Sequence, residues 1–501
     1  HDIKLNGARL ANRARDGHTQ VVSRQGSVTL GTVRTESHES YGSLSDKNHR
    51  HVHQSAEAGS RIEALGNITV SAGKDLSIRQ GQIDSQNGRV ELAALGNIDI
   101  SEGRRTLDLD ESTYSKERGL VGSKSRLDQY RRQHDEAAGS VITGREVRTA
   151  SGGDTRIRGS QVISDEQTLI AAQGEVRIDA ADNRYQDWEN HERKKSGLMG
   201  SGGIGFFIGN KTQAQESNGT VVSASGSTVG SLKGDTLIAA KRYSQTGSIV
   251  SSPEGNVLVE AEKIDIQAAD ERYRQTQRSR FEQKGLTVAV NIPVVDAAIG
   301  LTNAAKSAKQ IHGSNSRVNL MAAANAARQG FNAGKTLASV TQNPQSAGQG
   351  ISVSITYGEQ KNTSETQTAG NRAQAARMEA GKAVILKAHG AGKDSDILIR
   401  GADIGGQHAT YLSAENRVDI RSAEQQHQER SKNRQSGWNA GVALAFNNGV
   451  SLGFTAGGNY GKGYGNGDEA THLHSHIGSR SGQTFVHSGG DTTLKGAQLI
   501  G

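Results

Sequence analysis

Gly73-Lys74-Asp75-Leu76-Ser77-Ile78 is a turn of glycine and an acid followed by apolar residues at every second position. The same phrase returns as Gly153-Asp154-Thr155-Arg156-Ile157, Gly234-Asp235-Thr236-Leu237-Ile238 and Gly490-Asp491-Thr492-Thr493-Leu494, and more loosely as Asp394-Ser395-Asp396-Ile397-Leu398-Ile399. The steps from Asp75 to Asp154 and from Asp154 to Asp235 are nearly equal, and the step from Asp235 to Asp396 is twice as long, so it reads as two periods with one start overwritten. Apolar period two, bounded by glycine and acid, specifies short strands, and recurrence at fixed intervals specifies a repeat architecture.

A second marker follows each start: Gly96-Asn97-Ile98-Asp99-Ile100, Gly174-Glu175-Val176-Arg177-Ile178, Lys263-Ile264-Asp265-Ile266 and Arg417-Val418-Asp419-Ile420. Its last isoleucine keeps a near-fixed offset from the opening aspartate, Asp75 to Ile100, Asp154 to Ile178 and Asp396 to Ile420, with only Asp235 to Ile266 drawn out. A third marker is a polar arm ending in glycine, from Ile100 to Gly119, Ile178 to Gly197, Ile266 to Gly285 and Ile420 to Gly437, the first three equal in span and the fourth slightly shorter. Strands carrying only two or three inward residues, such as Val90 and Leu92 or Ile264 and Ile266, cannot bury a face alone. Stacking is the remedy, which predicts an all-β chain wound as a right-handed parallel β-helix with coils about 4.8 Å apart.

Composition agrees. The 501 residues include 63 Gly, 3 Pro and no Cys, with aromatics at 4%. Proline would remove a ladder hydrogen bond from any internal strand, and bulky rings crowd a narrow solenoid. The absence of cysteine excludes disulfide scaffolds, thiol nucleophiles and Cys-ligated metal. The formal charge of +7 comes from interspersed signs, a solvated surface more than a nucleic-acid groove. No window of 18 apolar residues exists, and an opening at His1 with a close in mid-pattern at Gly501 leads us to expect a piece of a longer protein.

Two kinds of segment depart from plain coils. Polar arms such as Arg184 to Lys195, Arg272 to Phe281 and Gln425 to Ser436 are expected to protrude as solvated strands. Strands with large residues on one face and small ones on the other follow them: Ile204, Phe206 and Ile208; Leu286, Val288, Val290 and Ile292; and Val442, Leu444 and Phe446, leading through Asn447-Asn448-Gly449 to Val450, Leu452 and Phe454. The last is a hairpin signal, and Ile351, Val353, Ile355 and Tyr357 are spaced to return beside the strand that begins at Leu286. Between them, residues 294–347 are Ala-rich with helical spacing at Ala297, Leu301, Ala304, Ala308, Leu320, Ala324 and Ala327, predicting a helical insertion. The organisation read from sequence is β-helix repeats with polar arms over 1–293, the insertion over 294–347, and further repeats with the alternating hairpin over 348–501.

These features resemble the haemagglutinin repeats of filamentous-haemagglutinin-like exoproteins, which Gram-negative bacteria secrete by the two-partner route. The glycine-acid starts, Leu5-Asn6-Gly7-Ala8-Arg9-Leu10, Lys495-Gly496-Ala497-Gln498-Leu499-Ile500-Gly501, the charged arms and the alternating strands carry the resemblance over nearly the whole chain. It is closest to the second repeat class, which in contact-dependent growth inhibition effectors lies between the receptor-binding region and a C-terminal toxin. The resemblance implies export through an outer-membrane transporter and, in such effectors, engagement of the target-cell outer membrane while the toxin crosses. In adhesins of the family the same repeats form a passive shaft. Alternating large and small residues suit an apolar or lipid face. A complete barrel strand needs about 9 to 11 residues, however, and the stretch 441–446 falls short of that before its turn, so packing of the hairpins on the solenoid or on each other is the competing reading.

Other chemistry is weaker. His49-Arg50-His51-Val52-His53 and His472-Leu473-His474-Ser475-His476 place three imidazoles on one strand face, the spacing of a metal site, but lack a carboxylate second shell and read as solvated faces. Asp108-Leu109-Asp110-Glu111 pairs two acids on one face, as in β-helical glycosidases, yet sits in an arm repeated elsewhere without them. Tyr130-Arg131-Arg132 and Arg272-Tyr273-Arg274 interleave rings and bases without a groove-reading motif. The sequence therefore predicts no catalytic residues, metal, cofactor or specific nucleic acid, and a segment for delivery or display.

Overall fold

The computed structural model describes residues 1–14, 17–120, 122–200, 206–290, 352–446 and 450–500. These residues are nearly all β, in one continuous hydrogen-bonded sheet, with a single helical turn at Gly392–Asp394. The helical insertion expected over 294–347 lies outside the described residues.

Three parallel ladders make up the shaft. Gln82–Ser85 lies in the first, Arg89–Ala94 in the second and Ile98–Ser101 in the third. Each pairs in parallel with its counterpart one coil earlier: Ile83 with Ile62, Val90 with Ile68, Ile98 with Leu76. Parallel stacking brings like side chains into columns. In the first ladder Ile62, Ile83, Ile142, Val162, Val229, Val250, Met378, Ile404 and Ile477 follow one another in register, each 2% exposed or less. Burying each such side chain contributes roughly 2 kcal/mol, so the column stabilises the stack far more than any one coil stabilises itself. In the third ladder the polar Gln245 stands between Ile178 and Ile266. Its amide donates to the carbonyls of Ser248 and Arg377 and its oxygen accepts from the buried Tyr243 hydroxyl.

The corners explain the sequence markers. Asp75, Asn97 and Asp154 each turn a side-chain oxygen to the backbone N–H of the next coil, at Asn97, Asp154 and Glu175 in turn. That carboxylate or amide occupies the space where the next coil would carry a side chain: a Cβ on Gly174 would meet Asp154 Oδ1 at 2.1 Å. Glycine before the acid is therefore a packing requirement. At the corner between third and first ladders a buried serine takes this role. Ser140 Oγ lies 2.7 Å from the Ser101 carbonyl and accepts the N–H of Gly81, and Ser227 sits likewise against the Asp179 carbonyl.

Five hairpins leave the shaft at this serine corner among the described residues. They are Val28–Tyr41 with His49–Gly59, Gly103–Gly119 with Gly122–Ala138, Ala181–Gly200 with Phe206–Ser225, Ala269–Val290 with Ser352–Gln374, and Ala423–Phe446 with Val450–Leu473. One hairpin leaves every second coil, and the reason is dimensional. Two coils advance the shaft by about 9.6 Å, and a hairpin is two strands wide at the same interstrand spacing. Successive hairpins therefore meet edge to edge and hydrogen-bond in antiparallel register, as Arg132 with Asp187, Thr220 with Arg274 and Thr366 with Ser431 show. The polar arms thus protrude as expected, and they merge into a single antiparallel fin.

One expectation needs correction. Asp235 opens a second-ladder strand, Thr236–Thr246, whereas Asp75 and Asp154 open third-ladder strands. From Asp235 to Asp396 the chain completes two coils and one hairpin, so no unit has been overwritten. The interval is long because that hairpin encloses residues 291–351.

Candidate functional site

Equal arms leaving one corner end at equal height. Gly119 pairs with Gly122, Gly122 with Gly197, Gly197 with Gly209, Gly209 with Gly285, Gly285 with Gly358, Gly358 with Asn439 and Asn439 with Gly457. A row of glycines, interrupted by one asparagine, thus crosses the fin. Gly197 and Gly285 adopt φ values of 99° and 136°, which other residues reach only with strain. The arm endings at Gly119, Gly197 and Gly285 carry the signal in the sequence. Gly437 misled by two positions, because Asn439 is the residue that stands as far from Ile420 as Gly119 does from Ile100.

Beyond this row the strands carry no charged residue: 198–200, 206–208, 286–290, 352–357, 440–446 and 450–456 contain none. Pairing in this distal band is in full register. Val288, Ile355, Val442 and Phe454 form one cross-strand row and Val290, Val353, Leu444 and Leu452 another. Between them runs the row Ala289, Ser354, Ala443 and Gly453. Large residues thus share cross-strand rows with large ones, and small residues with small ones. The return of Val353, Ile355 and Tyr357 beside the strand from Leu286 is as expected from the sequence, with Leu286 opposite Tyr357. Phe206 and Ile208 end the third hairpin, while Phe446 faces Val450 at the tip of the fifth. Ile204, Ile292 and Ile351 lie outside the described residues. These apolar strands are the outer ends of the polar arms themselves, a continuity that the sequence reading missed.

Proximal to the glycine row stand rings and cations. Trp438 packs edge-on against Tyr357 at 6.0 Å, and Arg434 and Lys462 flank Tyr460. Lys124, Lys195 and Lys211 occupy one row two positions below Gly122, Gly197 and Gly209. Farther in, cross-strand ion pairs stabilise the single-layer sheet, including Lys361 with Glu282 at 2.7 Å and Arg278 with Glu365 at 3.2 Å. An open concavity of about 720 Å³ is lined there by Glu216, Arg278, Lys432, Arg434 and Tyr464.

The histidines and acids singled out in the sequence are separately engaged. His51 meets Ser40, His474 the Gly496 carbonyl and His476 Asp403, so their rings serve different neighbours. Asp110 is shared by His49 and Arg131. Among the described residues no three His, Asp or Glu side chains are arranged to hold a metal ion. Buried His49 has an acceptor at each nitrogen, the Asp46 carbonyl at 2.7 Å and Asp110 Oδ1 at 3.0 Å. Burial disfavours its charge, but the hydrogen bonds to Asp110 and Asp46 outweigh burial and raise its pKa above 6.5. A raised folded pKa gives stability that is complete below the unfolded value and lost as pH rises through the folded one. Hydrogen exchange at 49–56 and 105–112, corrected for intrinsic rate, is therefore expected to quicken as pH rises from about 6 to 8, and His49→Gln to abolish that step. An unchanged step in the variant would assign it to another group.

Comparison with known proteins places the sequence. The hemagglutinin repeat model matches residues 40–127, 119–239 and 355–501. The tRNA nuclease CdiA of Escherichia coli is 28% identical over 88% of this chain and 13% of its own length. CdiA-2 of Burkholderia pseudomallei, also a tRNA nuclease, is 28% identical over 84% of the chain and 14% of itself, and the 16S rRNA endonuclease CdiA of Enterobacter cloacae 28% over 77% and 12%. The chain therefore spans about an eighth of the length of these contact-dependent growth inhibition proteins. No solved structure matches. Since the matched repeats run through both shaft and fin and cover most of the sequence, the chain belongs to the hemagglutinin repeat family.

Proposed function

We propose that this chain is a non-catalytic segment of a large exoprotein displayed on a Gram-negative cell, and that its fin engages the outer membrane of a target cell so that a C-terminal toxin, encoded beyond it, is carried inward. In this reading the three ladders are the faces of a right-handed parallel β-helix, with 1–293 and 348–501 stacked as one shaft around the 294–347 insertion. The secretion partner is an outer-membrane transporter, through which the cysteine-free chain passes unfolded.

The uncharged band beyond the glycine row supports the reading best. From Asn439 to Phe446 the strand advances by about 23 Å, close to the roughly 25 Å apolar height of outer-membrane barrels. Counted from the hairpin alone, 441–446, the strand falls well short of the roughly 9 residues of a barrel strand, whereas counted from the glycine row, 439–446, it comes within one residue of that length. Trp438 and Tyr357 stand at the boundary, where amphipathic rings favour a membrane interface. The free edges of the outer distal strands must also be paired in lipid, by curling of the sheet or by a second copy.

Because the chain has no cysteine, single cysteines report local surroundings without background. An environment-sensitive dye at Val288→Cys or Phe454→Cys is expected to shift to the blue with outer-membrane vesicles and to resist an aqueous quencher at high salt. At Gln275→Cys it is expected to stay accessible. Dyes at 288 and 454 that remain quenched, or a signal removed by salt, would leave the passive adhesin shaft as the function.

A further inference from the structure

Lys124, Lys195 and Lys211 stand side by side on three neighbouring strands, Lys124 facing Lys195 and Lys195 facing Lys211. With strands about 4.8 Å apart, three ammonium groups share roughly 10 Å of sheet. Like charges directly opposite one another destabilise a sheet. Elsewhere the fin sets Glu282 against Lys361 and Asp110 against Arg131, and where like charges do meet, as Arg126 with Arg193 and Arg434 with Lys462, they meet in twos. Among the described residues none of the three lysines has a carboxylate within 4.0 Å, although Glu117 stands opposite Lys124 on its other edge. Arg193, two positions along the strand from Lys195, adds another cation to that face, and Lys211 is flanked on its other side by neutral Gln283. Lys211 is half-buried over the Phe281 ring, and burial followed by the charge of Lys195 depresses its pKa. The row is a strip of three adjacent cations beside one carboxylate, a net positive charge held on paired backbone.

Its position selects the anion. The row lies two positions, about 7 Å, on the shaft side of the glycine row, so a fin whose uncharged band occupies the bilayer carries these lysines at headgroup depth. The row itself carries no aromatic ring on which a base would stack. We propose that Lys124, Lys195 and Lys211 form a seat for the phosphate groups of an anionic lipid surface, fixing how deep the fin enters. This inference rests on the membrane reading above and adds the headgroup chemistry to it.

The test uses the full chain with three kinds of vesicle: phosphatidylcholine alone, phosphatidylcholine with bis-phosphorylated lipid A, and phosphatidylcholine with lipid A stripped of phosphate. The wild type is expected to bind the phosphorylated vesicles at least about 30-fold more tightly than either other kind. Replacing all three lysines by glutamine is expected to weaken that binding about 100-fold, while replacing all three by arginine keeps it within about threefold. Three exposed shaft lysines exchanged together, Lys74, Lys387 and Lys393→Gln, should change little. Removing mutual repulsion should not lower the melting temperature. If the triple variant fails to fold, Lys195→Gln alone carries the test, with a loss of about fivefold. Equal binding by the triple variant, or wild-type indifference to phosphate, overturns the proposal, as does lysine-dependent binding of a single-stranded oligonucleotide without binding to phosphorylated vesicles. A dye at Phe454→Cys separates the two readings. Dye entry that ignores the lysines defeats the phosphate seat, whereas lysine-dependent binding with an aqueous dye keeps the seat and defeats insertion.

Discussion

Arginine at both Val288 and Leu452 is expected to lower partition of the chain into outer-membrane vesicles by roughly a thousandfold. The two positions belong to different cross-strand rows, Val288 on the strand leaving Gly285 and Leu452 on the strand returning to Gly457. At about 3.3 Å per residue they stand roughly 10 and 17 Å into the uncharged band, on either side of its middle. An arginine near the midplane of a β-sheet in lipid costs about 2 to 4 kcal/mol, and two cost at least about 4, or three powers of ten. In water the same substitutions add solvated charge to the end of a fin whose polar part is paired independently, so circular dichroism and exchange in the shaft should not change. Arginines placed instead at Gln275 and Gln435, in the polar section, are expected to change partition by less than about threefold. Partition unaffected by the distal pair would remove the membrane from the function and leave the shaft reading.

Deleting residues 140–159 is expected to split the fin while the shaft survives. The deletion removes one coil and joins Gly139 to Ser160, a Gly-Ser joint like those at Gly139-Ser140 and Gly226-Ser227. The second and third hairpins then leave the shaft about 4.8 Å apart although each pair of strands still needs about 9.6 Å. The seam between Gly122–Ala138 and Ala181–Gly200, whose register runs from Gly122 with Gly197 to Asp135 with Arg184, cannot close. Hydrogen-exchange protection along it should fall at least about tenfold, toward that of an edge strand. Deleting residues 140–226 removes two coils with their hairpin and joins Gly139 to Ser227. It should restore a closed fin, with Gly122–Ala138 now beside Ala269–Val290. A seam that survives the one-coil deletion would refute the dimensional account of why hairpins leave every second coil.

Local chemistry was legible in the sequence and long-range pairing was less so. Gly153-Asp154 announces a corner because the requirement for Asp154 to cap the next coil acts within a few ångströms of the chain. The alternation of Leu286, Val288 and Val290 likewise announces a strand, and its match to Val353 and Ile355 was foreseeable across the intervening residues. What escaped was the lateral fit of one hairpin to the next. Tyr130 faces Glu189, and His191 reaches back to Asp128 on the preceding hairpin, contacts fixed by the coil spacing of the shaft and not by any motif in either arm. The lysine row was hidden for the same reason, since Lys124, Lys195 and Lys211 are ordinary surface charges until three separate strands are laid side by side.

The glycine row also has a mechanical meaning. A single-layer sheet resists creasing across its strands mainly where side chains on adjacent positions press on one another, and at Gly119, Gly122, Gly197, Gly209, Gly285, Gly358 and Gly457 there are none to press. Bending strain applied at the tip therefore concentrates on that one line, where backbone torsion is cheapest, and the outer panel can tilt as a plate without shearing the hydrogen bonds on either side of it. Lateral load on a tip lodged in another cell would be absorbed as rotation about this line, and the shaft would feel little of the torque.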